Sequence, residues 1–345
     1  MAGIGNGAKN GILFKGSEVM DDFAHVDTIA FDKTGTLTVG KPVVSTVKIL
    51  NGNKQNIINT AVAIEKQSNH PLAKAIANLS TTQVLEVTNL NTLKGRGISA
   101  KVNNDHYYFG NSNLISIKNQ QLKDTIIHFV KQGNSIVIFS NSDHSMLAVF
   151  GIKDQLRPDS AKALLTLKKL GIKRLIMLTG DTQETAEQVV SSLPIDEVHA
   201  NMLPQDKAKF VKQQAEGHKI TFVGDGINDS SALSQADVAI AMGSGTDVAM
   251  EVSDLVLVKS NLINLTTSRM LARKTLKNMH ENIVIALITV ILLFAGLFVD
   301  YIEMESGMLI HELSILIVIL NSMRLIKYSP KLNHCHFLDK TNDLQ

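Results

Sequence analysis

Apolar residues fall along this chain in three rhythms, and each predicts a different kind of element. Short, nearly unbroken apolar runs at residues 26–31, 176–178, 220–223, 238–241 and 255–258 read as strands buried on both faces, as in a parallel sheet. Between the first and second of these lies a mixed region. Residues 57–65 and 72–79 read there as helices separated by Asn69-His70-Pro71, and residues 84–87, 98–102, 106–109, 136–139 and 146–150 read as strands. A helix opening at Pro158, with apolar Ala161, Leu164, Leu165 and Leu167, suits a face packed on the sheet. The third rhythm comes near the C-terminus. Residues 283–299 are almost continuously apolar, and residues 308–320 are interrupted only by His311, Glu312 and Ser314. As helices, the first is about 25 Å long and the second reaches membrane length if extended over 306–326.

These rhythms predict an α/β protein with a buried, Rossmann-like sheet, an α+β lobe inserted after its first strand, and two transmembrane helices. The boundaries expected are 1–41 with 151–265 for the sheet domain, with residues 1–20 as an extension and linker. The lobe takes 42–150, the membrane helices 280–328, and a cytoplasmic tail 329–345. A chain of 345 residues is long enough for two or three domains. A formal net charge of +2 makes no case for nucleic acid, and the single cysteine, Cys335, excludes an internal disulfide framework. No secretory leader is expected from the opening residues, and no internal repeat stands out.

Several buried runs empty into a chemically loaded turn. The first delivers Phe31-Asp32-Lys33-Thr34-Gly35-Thr36-Leu37-Thr38, which places Asp32 where open parallel sheets put their chemistry. A carboxylate there can attack a phosphoryl group and carry it, provided a metal and a cation offset the incoming charge. Thr34 stands where many phosphatases of this architecture have a second Asp as proton donor and water activator, so a phosphate on Asp32 is expected to persist. The second run delivers Thr179-Gly180-Asp181, whose threonine hydroxyl can bond a phosphoryl oxygen; taken alone, Gly-Asp is also a common turn. Lys207 falls in the first turn of a helix beginning near Pro204, where an ammonium could neutralise phosphoryl oxygens. The third run delivers Gly224-Asp225-Gly226-Ile227-Asn228-Asp229, carboxylates suited to a hard divalent ion such as Mg²⁺.

The run Asp32-Lys33-Thr34-Gly35-Thr36-Leu37-Thr38 is the phosphorylation signature of the P-type ATPases, and with the later motifs the chain resembles the heavy-metal branch of that family over nearly its whole length. The resemblance implies a haloacid-dehalogenase phosphorylation domain with an inserted nucleotide-binding domain. It implies ATP as substrate, a catalytic set of Asp32, Lys33, Thr34, Thr179, Gly180, Asp181 and Lys207, and Mg²⁺ held by Asp32, Thr34, Asp225 and Asp229, with Asn228 beside them. In the lobe, Glu65 and His70 resemble adenine contacts, Gly95-Arg96-Gly97 a glycine pair lying close against the nucleotide, and Gly110-Asn111 a loop beside the ribose. Each is weak alone, since His-Pro commonly marks a helix boundary and Gly-Arg-Gly a turn.

The glycine-rich opening around Ala8-Lys9-Asn10 resembles the stretch following the family's metal-motif helix. That helix, the other upstream membrane helices and the actuator domain are missing from the sequence, which therefore resembles a C-terminal portion, either truncated or a genuine short product. Arg269, Arg273, Lys274 and Lys277 precede the first apolar run, Arg324, Lys327 and Lys331 follow the second, and the loop between holds Asp300, Glu303 and Glu305. The positive-inside rule puts both flanks in the cytoplasm of a multi-pass cell-membrane protein. Ionisable groups inside a span call for a partner, a cavity or an ion. His311 and Glu312 are the expected transition-metal contacts, although the following Leu313-Ser314-Ile315 departs from the Gly-Gly-Thr of one heavy-metal subgroup; an interfacial or helix-bonding role is the alternative. His334-Cys335-His336 reads as a tail with metal-capable side chains or simply as a short disordered end. Two other readings stay open: a membrane-tethered phosphatase of the same architecture, and a non-catalytic nucleotide-binding remnant.

Overall fold

In a computed structural model, residues 1–68, 71–79, 84–93, 96–111, 114, 119–226, 229–243, 245–299 and 301–330 are described. The chain opens with helix α1 (Ala2–Lys9), strand β1 (Ile12–Phe14), helix α2 (Ser17–His25) and strand β2 (Thr28–Asp32). It then crosses into a second sheet. β3 (Val43–Ile49) is followed by α3 (Lys54–Glu65), α4 (Pro71–Ala77), β4 (Val87–Leu93), β5 (Gly97–Val102), β6 (Asp105–Gly110), α5 (Gln120–Lys131), β7 (Ser135–Asn141) and β8 (Met146–Lys153). The return supplies α6 (Ser160–Lys169), β9 (Arg174–Leu178), α7 (Gln183–Val190), β10 (Glu197–His199), α8 (Pro204–Ala215), β11 (Ile220–Gly224), α9 (Ser230–Leu233), β12 (Val238–Met242), α10 (Asp247–Val252) and β13 (Leu255–Leu257). Two long helices close the described chain, α11 (Leu262–Phe298) and α12 (Met304–Met323).

The first sheet runs β1-β13-β12-β11-β2-β9-β10, parallel except for β1 at its edge. β2 sits among the inner strands and all five of its residues are buried. Ile29 and Phe31 join a core with Phe23, Leu164, Leu167 and Leu265, while Ala30 joins one with Val211, Phe222 and Leu233 on the other face. That two-sided burial explains why these strands are written as unbroken apolar runs. The second sheet is antiparallel, β3-β8-β7-β6-β5-β4. α3 and α4 share its core, where Ile64 and Ile76 meet Phe109, Phe139 and Phe150, with the Phe109 and Phe139 rings stacked 4.3 Å apart. The two chain crossings are bonded to each other. Thr38 bridges Leu156, Val39 donates to the Gln155 carbonyl at 2.8 Å, and Asp154 accepts from the Thr38 hydroxyl and the Gly40 amide.

Some elements differ from the expectation. The strand expected at 84–87 begins only at Val87; Val84 is fully exposed, and the sheet is continued by the asparagine-rich β4, with Asn89 at φ 52° and a bulge between Thr88 and Asn91. Pro158 lies in the turn before α6, which starts at Ser160 and buries Ala163, Leu164 and Leu167 while Leu165 stays half exposed. Of the basic residues ahead of the first apolar run, Arg269 is buried, whereas Arg273 and Lys277 stay exposed. They lie on α11 itself, whose first turns bury Leu262, Leu265 and Leu271 in the head. Arg269 is 1% exposed, donates to the Val26 carbonyl at 2.6 Å and lies over the Phe23 ring, and Arg273 caps the Leu170 carbonyl. β3, α5 and α7 are elements the hydropathy pattern left unassigned.

α11 is therefore one rod of 37 residues, about 55 Å long, that begins in the head core and ends in an exposed apolar stretch. Both α11 and α12 are long and apolar enough to cross a membrane. Where they leave the head they are joined by amides: Asn278 donates to the Asn321 carbonyl, Asn321 to Asn282 Oδ1 and Asn282 to the Ser322 hydroxyl. Asn6 of α1, itself buried, donates to the carbonyls of Leu325 and Tyr328 just past α12, where helix ends leave carbonyls short of partners.

Candidate active site

Because β11, β2 and β9 are parallel neighbours, their carboxyl ends fall side by side. Asp32 closes β2, Thr179 follows β9, and Asp225 follows β11. Lys207 arrives from α8, where Pro204 opens the helix and the Asp206 side chain caps the Leu203 amide. Its Nζ reaches Asp32 Oδ1 at 2.5 Å and Asp229 Oδ1 at 2.8 Å. All four charged groups are withdrawn from water: Asp32 and Lys207 are 5% exposed, Asp225 8% and Asp229 1%.

The turn after β2 is shaped for this crowding. Gly35 has φ 73°, a conformation that strains other residues, and a Cβ there would displace the Asp225 carboxylate. Arg157, which sequence reasoning passed over although it stands in the Asp154-to-Pro158 segment, pins the turn from outside by donating to the carbonyls of Gly35 (2.8 Å) and Thr36 (2.9 Å). Lys33 turns away from Asp32 and pairs with Asp181 across the β9 loop. Thr179 is buried and its Oγ1 accepts from the Asp181 amide, and Gly180 makes the turn between them. Thr34 stands exposed at the mouth. Asn228 lies outside the described residues.

Burial pushes the Asp32 carboxyl up to about 7, with the neighbouring Asp229 charge adding to the rise and Lys207 opposing it. For Lys207, burial works toward a lower value, but Asp32 and Asp229 outweigh it and hold the ammonium above its ordinary value. Carboxylate oxygens of Asp32, Asp225 and Asp229 lie within 4.8 Å of one another. Three carboxylates against one ammonium leave an excess of negative charge, and this donor set of hard oxygens fits a divalent cation.

The second candidate region is a cleft of about 710 Å³ in the antiparallel lobe. Its walls include Leu72, Ile98, Phe109 and Val137, with Glu65 on the helical side and Gly97, Gly110 and Asn111 at the strand ends. Glu65 is 5% exposed, and burial raises its carboxyl to about 7. Gly97 has φ 150°, and a Cβ would run into the Phe109 carbonyl of the adjacent strand. The need for glycine at 97 thus arises inside the sheet. His70 and Gly95 lie outside the described residues. In the helical pair, His311 lines a small groove of about 180 Å³ with Ala286, Val290, Ser314, Ile315 and Val318; Glu312 is exposed and does not line it. His334, Cys335 and His336 lie outside the described residues.

Comparison with known proteins gives a consistent picture. The profile of the family described as haloacid dehalogenase-like hydrolase matches residues 26–237. A zinc-transporting ATPase of Bacillus subtilis (strain 168) is 38% identical over 331 residues, covering 94% of this chain and 52% of the relative. A probable cadmium-transporting ATPase of Staphylococcus aureus is 35% identical over 349 residues, covering 96% and 43%. Among solved structures, a zinc-transporting PIB-type ATPase in an E2.Pi state superposes with a TM-score of 0.80 at 32% identity, covering 94% of this chain and 54% of the other. The chain spans about half the length of these proteins.

Proposed function

Since this chain belongs to the haloacid dehalogenase-like hydrolases, we propose that it is the catalytic head and two of the membrane helices of an ATP-driven transition-metal pump that carries phosphate on Asp32. The observation that carries this reading is the meeting of Asp32, Lys207, Asp225 and Asp229 at the carboxyl edge of one parallel sheet, buried and preassembled. The names of relatives support it: a zinc-transporting, a probable cadmium-transporting and a silver-exporting ATPase are among them.

In this account ATP occupies the lobe cleft, with its base toward Glu65, and the two bonded crossings let the lobe bring the γ-phosphate to β2. An Asp32 carboxylate oxygen attacks the γ-phosphorus; the bond to the β–γ bridging oxygen breaks, and ADP leaves with that electron pair. Lys207, already donating to Asp32, meets the phosphoryl oxygens, and the Thr179 hydroxyl offers a further donor. The Lys33–Asp181 pair ties the β2 and β9 turns together so that the donors keep their spacing. Asp32, the Thr34 carbonyl and Asp225, with Asp229 beside them, would hold Mg²⁺, which supplies charge neutralisation for the transferring phosphoryl group. Because Thr34 cannot activate water as a carboxylate would, the acyl phosphate outlives its formation.

The helices α11 and α12 lie in a cell membrane with the head in the cytoplasm and the acidic connection outside. The intact protein would be multi-pass, its remaining path being supplied by an N-terminal portion beyond this sequence. His311, facing the interhelical groove, is the transported-ion contact favoured here; Glu312 takes part only with a further helix against it. The ion is of the Zn, Cd or Co type or a related heavy metal. Labelled ATP tests the reading: the chain in detergent should acquire an acid-stable, hydroxylamine-sensitive label, absent in Asp32→Asn. Fast turnover of small phosphoesters with no label would instead make it a phosphatase.

A further inference from the structure

The lobe cleft has a chemical direction. Glu65 lies buried on its helical side, Ile98, Phe109 and Val137 line it with apolar surface, and Arg96 stands exposed on its wall, the sole cation lining it among the described residues. Register fixes the end of the sheet at which Arg96 stands. Gly97 pairs with Gly110, Gly110 with Ile138, and Ser135 with Ile152, while Lys153 pairs with Val43. The start of β5, the end of β6, the start of β7 and the end of β8 therefore share one end of the antiparallel sheet. It is the end from which the chain crosses to the Asp32 turn, through Thr38–Gly40 and Asp154–Leu156.

The backbone of Arg96 is held on both sides: its amide donates to the Leu93 carbonyl at 2.9 Å and its carbonyl accepts from the Asn111 amide at 3.1 Å. No carboxylate pairs with its guanidinium among the described residues. A polyanion entering this cleft is repelled by an ionised Glu65 and attracted by the planar, five-donor guanidinium of Arg96, which stands at the end of the sheet from which the chain crosses to Asp32. We propose that Arg96 grips the polyphosphate of a bound nucleoside triphosphate and aims its terminal phosphate out of the cleft toward Asp32. This rests on the lobe being the nucleotide site. It also assigns Arg96 a task distinct from that of its neighbour: Gly97 serves the close approach of β5 to β6, and Arg96 serves the ligand.

Equilibrium binding of ATP, ADP and adenosine to the full chain in detergent tests the assignment, with Arg96→Gln, Arg96→Lys and Glu65→Gln beside the parent. Arg96→Gln should weaken ATP and ADP about tenfold, the weight of one charge-assisted pair, and leave adenosine unchanged. It should also flatten the salt dependence of ATP binding, and Arg96→Lys should recover only part of the loss. Glu65→Gln should weaken all three ligands together. Equal weakening of adenosine and ATP by Arg96→Gln, no weakening of ATP, or the same loss produced by Lys94→Gln instead would overturn the assignment. Failure of the parent to bind any of the three would overturn the nucleotide reading beneath it. Arg96 is exposed, so the variant should fold, and an unchanged melting temperature checks that.

Discussion

The surroundings of Asp32 and the cleft of the antiparallel lobe solve opposite problems. At Asp32 four charged side chains are buried together before any ligand arrives, bonded through Lys207 and short of positive charge. The lobe cleft carries two ionisable groups among its described lining residues, Glu65 and Arg96, set among apolar walls and not paired with each other. The first arrangement suits charge that must be stabilised in a transition state, where fixed groups need no reorganisation. The second suits reversible capture of a molecule with an uncharged, flat end and a highly charged end. Preassembly costs stability at the first site, and openness leaves the second dependent on its ligand.

The contrast can be broken most forcefully at Lys207. Lys207→Met should lower the rate of Asp32 labelling by about 10²–10³-fold, while ATP affinity stays within about twofold. It should also destabilise the head by about 3–5 kcal/mol at pH 8, since two buried carboxylates lose their cation. That loss should shrink at pH 5, where Asp32, with its carboxyl raised to about 7, takes up a proton. A stopped reaction series and urea melts at both pH values measure it.

Gly97→Ala attacks the other region. The added methyl meets the Phe109 carbonyl at a backbone angle that side chains avoid, and a cost of about 1–3 kcal/mol to the lobe is expected. ATP-dependent labelling should fall in proportion, whereas labelling of Asp32 by acetyl phosphate, which needs no cleft, should be retained. If both donors fail equally, the two regions are not separable in the way described.

A finer contrast uses pH. Glu65 and Asp32 both titrate at about 7 in the folded chain, above their values when unfolded. Between about pH 4.5 and 7 the folded state therefore holds protons that the unfolded chain has released, and stability falls as pH rises through that window. Glu65→Gln removes its share and should raise the stability of the nucleotide-free chain at pH 8 by up to about 3 kcal/mol, with little change at pH 4. Mg²⁺ should flatten the part due to Asp32 and leave the part due to Glu65. Thermal melts across pH, with and without the metal, separate them.

Much of the Asp32 region was legible because a parallel strand buried on both faces is written as an apolar run, and the next residues are the site: Phe31-Asp32, Leu178-Thr179 and Gly224-Asp225 each mark such a junction. Partnerships across the sheet edge were not legible. Lys33 stands beside Asp32 in sequence, yet turns to Asp181, and Arg157 acts on carbonyls 121 and 122 positions earlier. The burial of Arg269 was not legible either, because a charge count treats every cation as solvated, whereas its guanidinium lies under α2 against Phe23 and the Val26 carbonyl. The lobe was harder still. Its edge strand β4 is held by pairing with β5 despite an asparagine at positive φ, and propensity gives no sign of that.

The account depends on a phosphate carried covalently by one side chain, and borohydride reduction reads that directly. After brief incubation with ATP and Mg²⁺, acid quenching and treatment with tritiated borohydride, an acyl phosphate becomes a labelled homoserine. Peptide sequencing should place that homoserine at position 32 and nowhere else, with none formed when ATP is omitted. Homoserine at another aspartate, or none at all while ATP is consumed, would contradict the account.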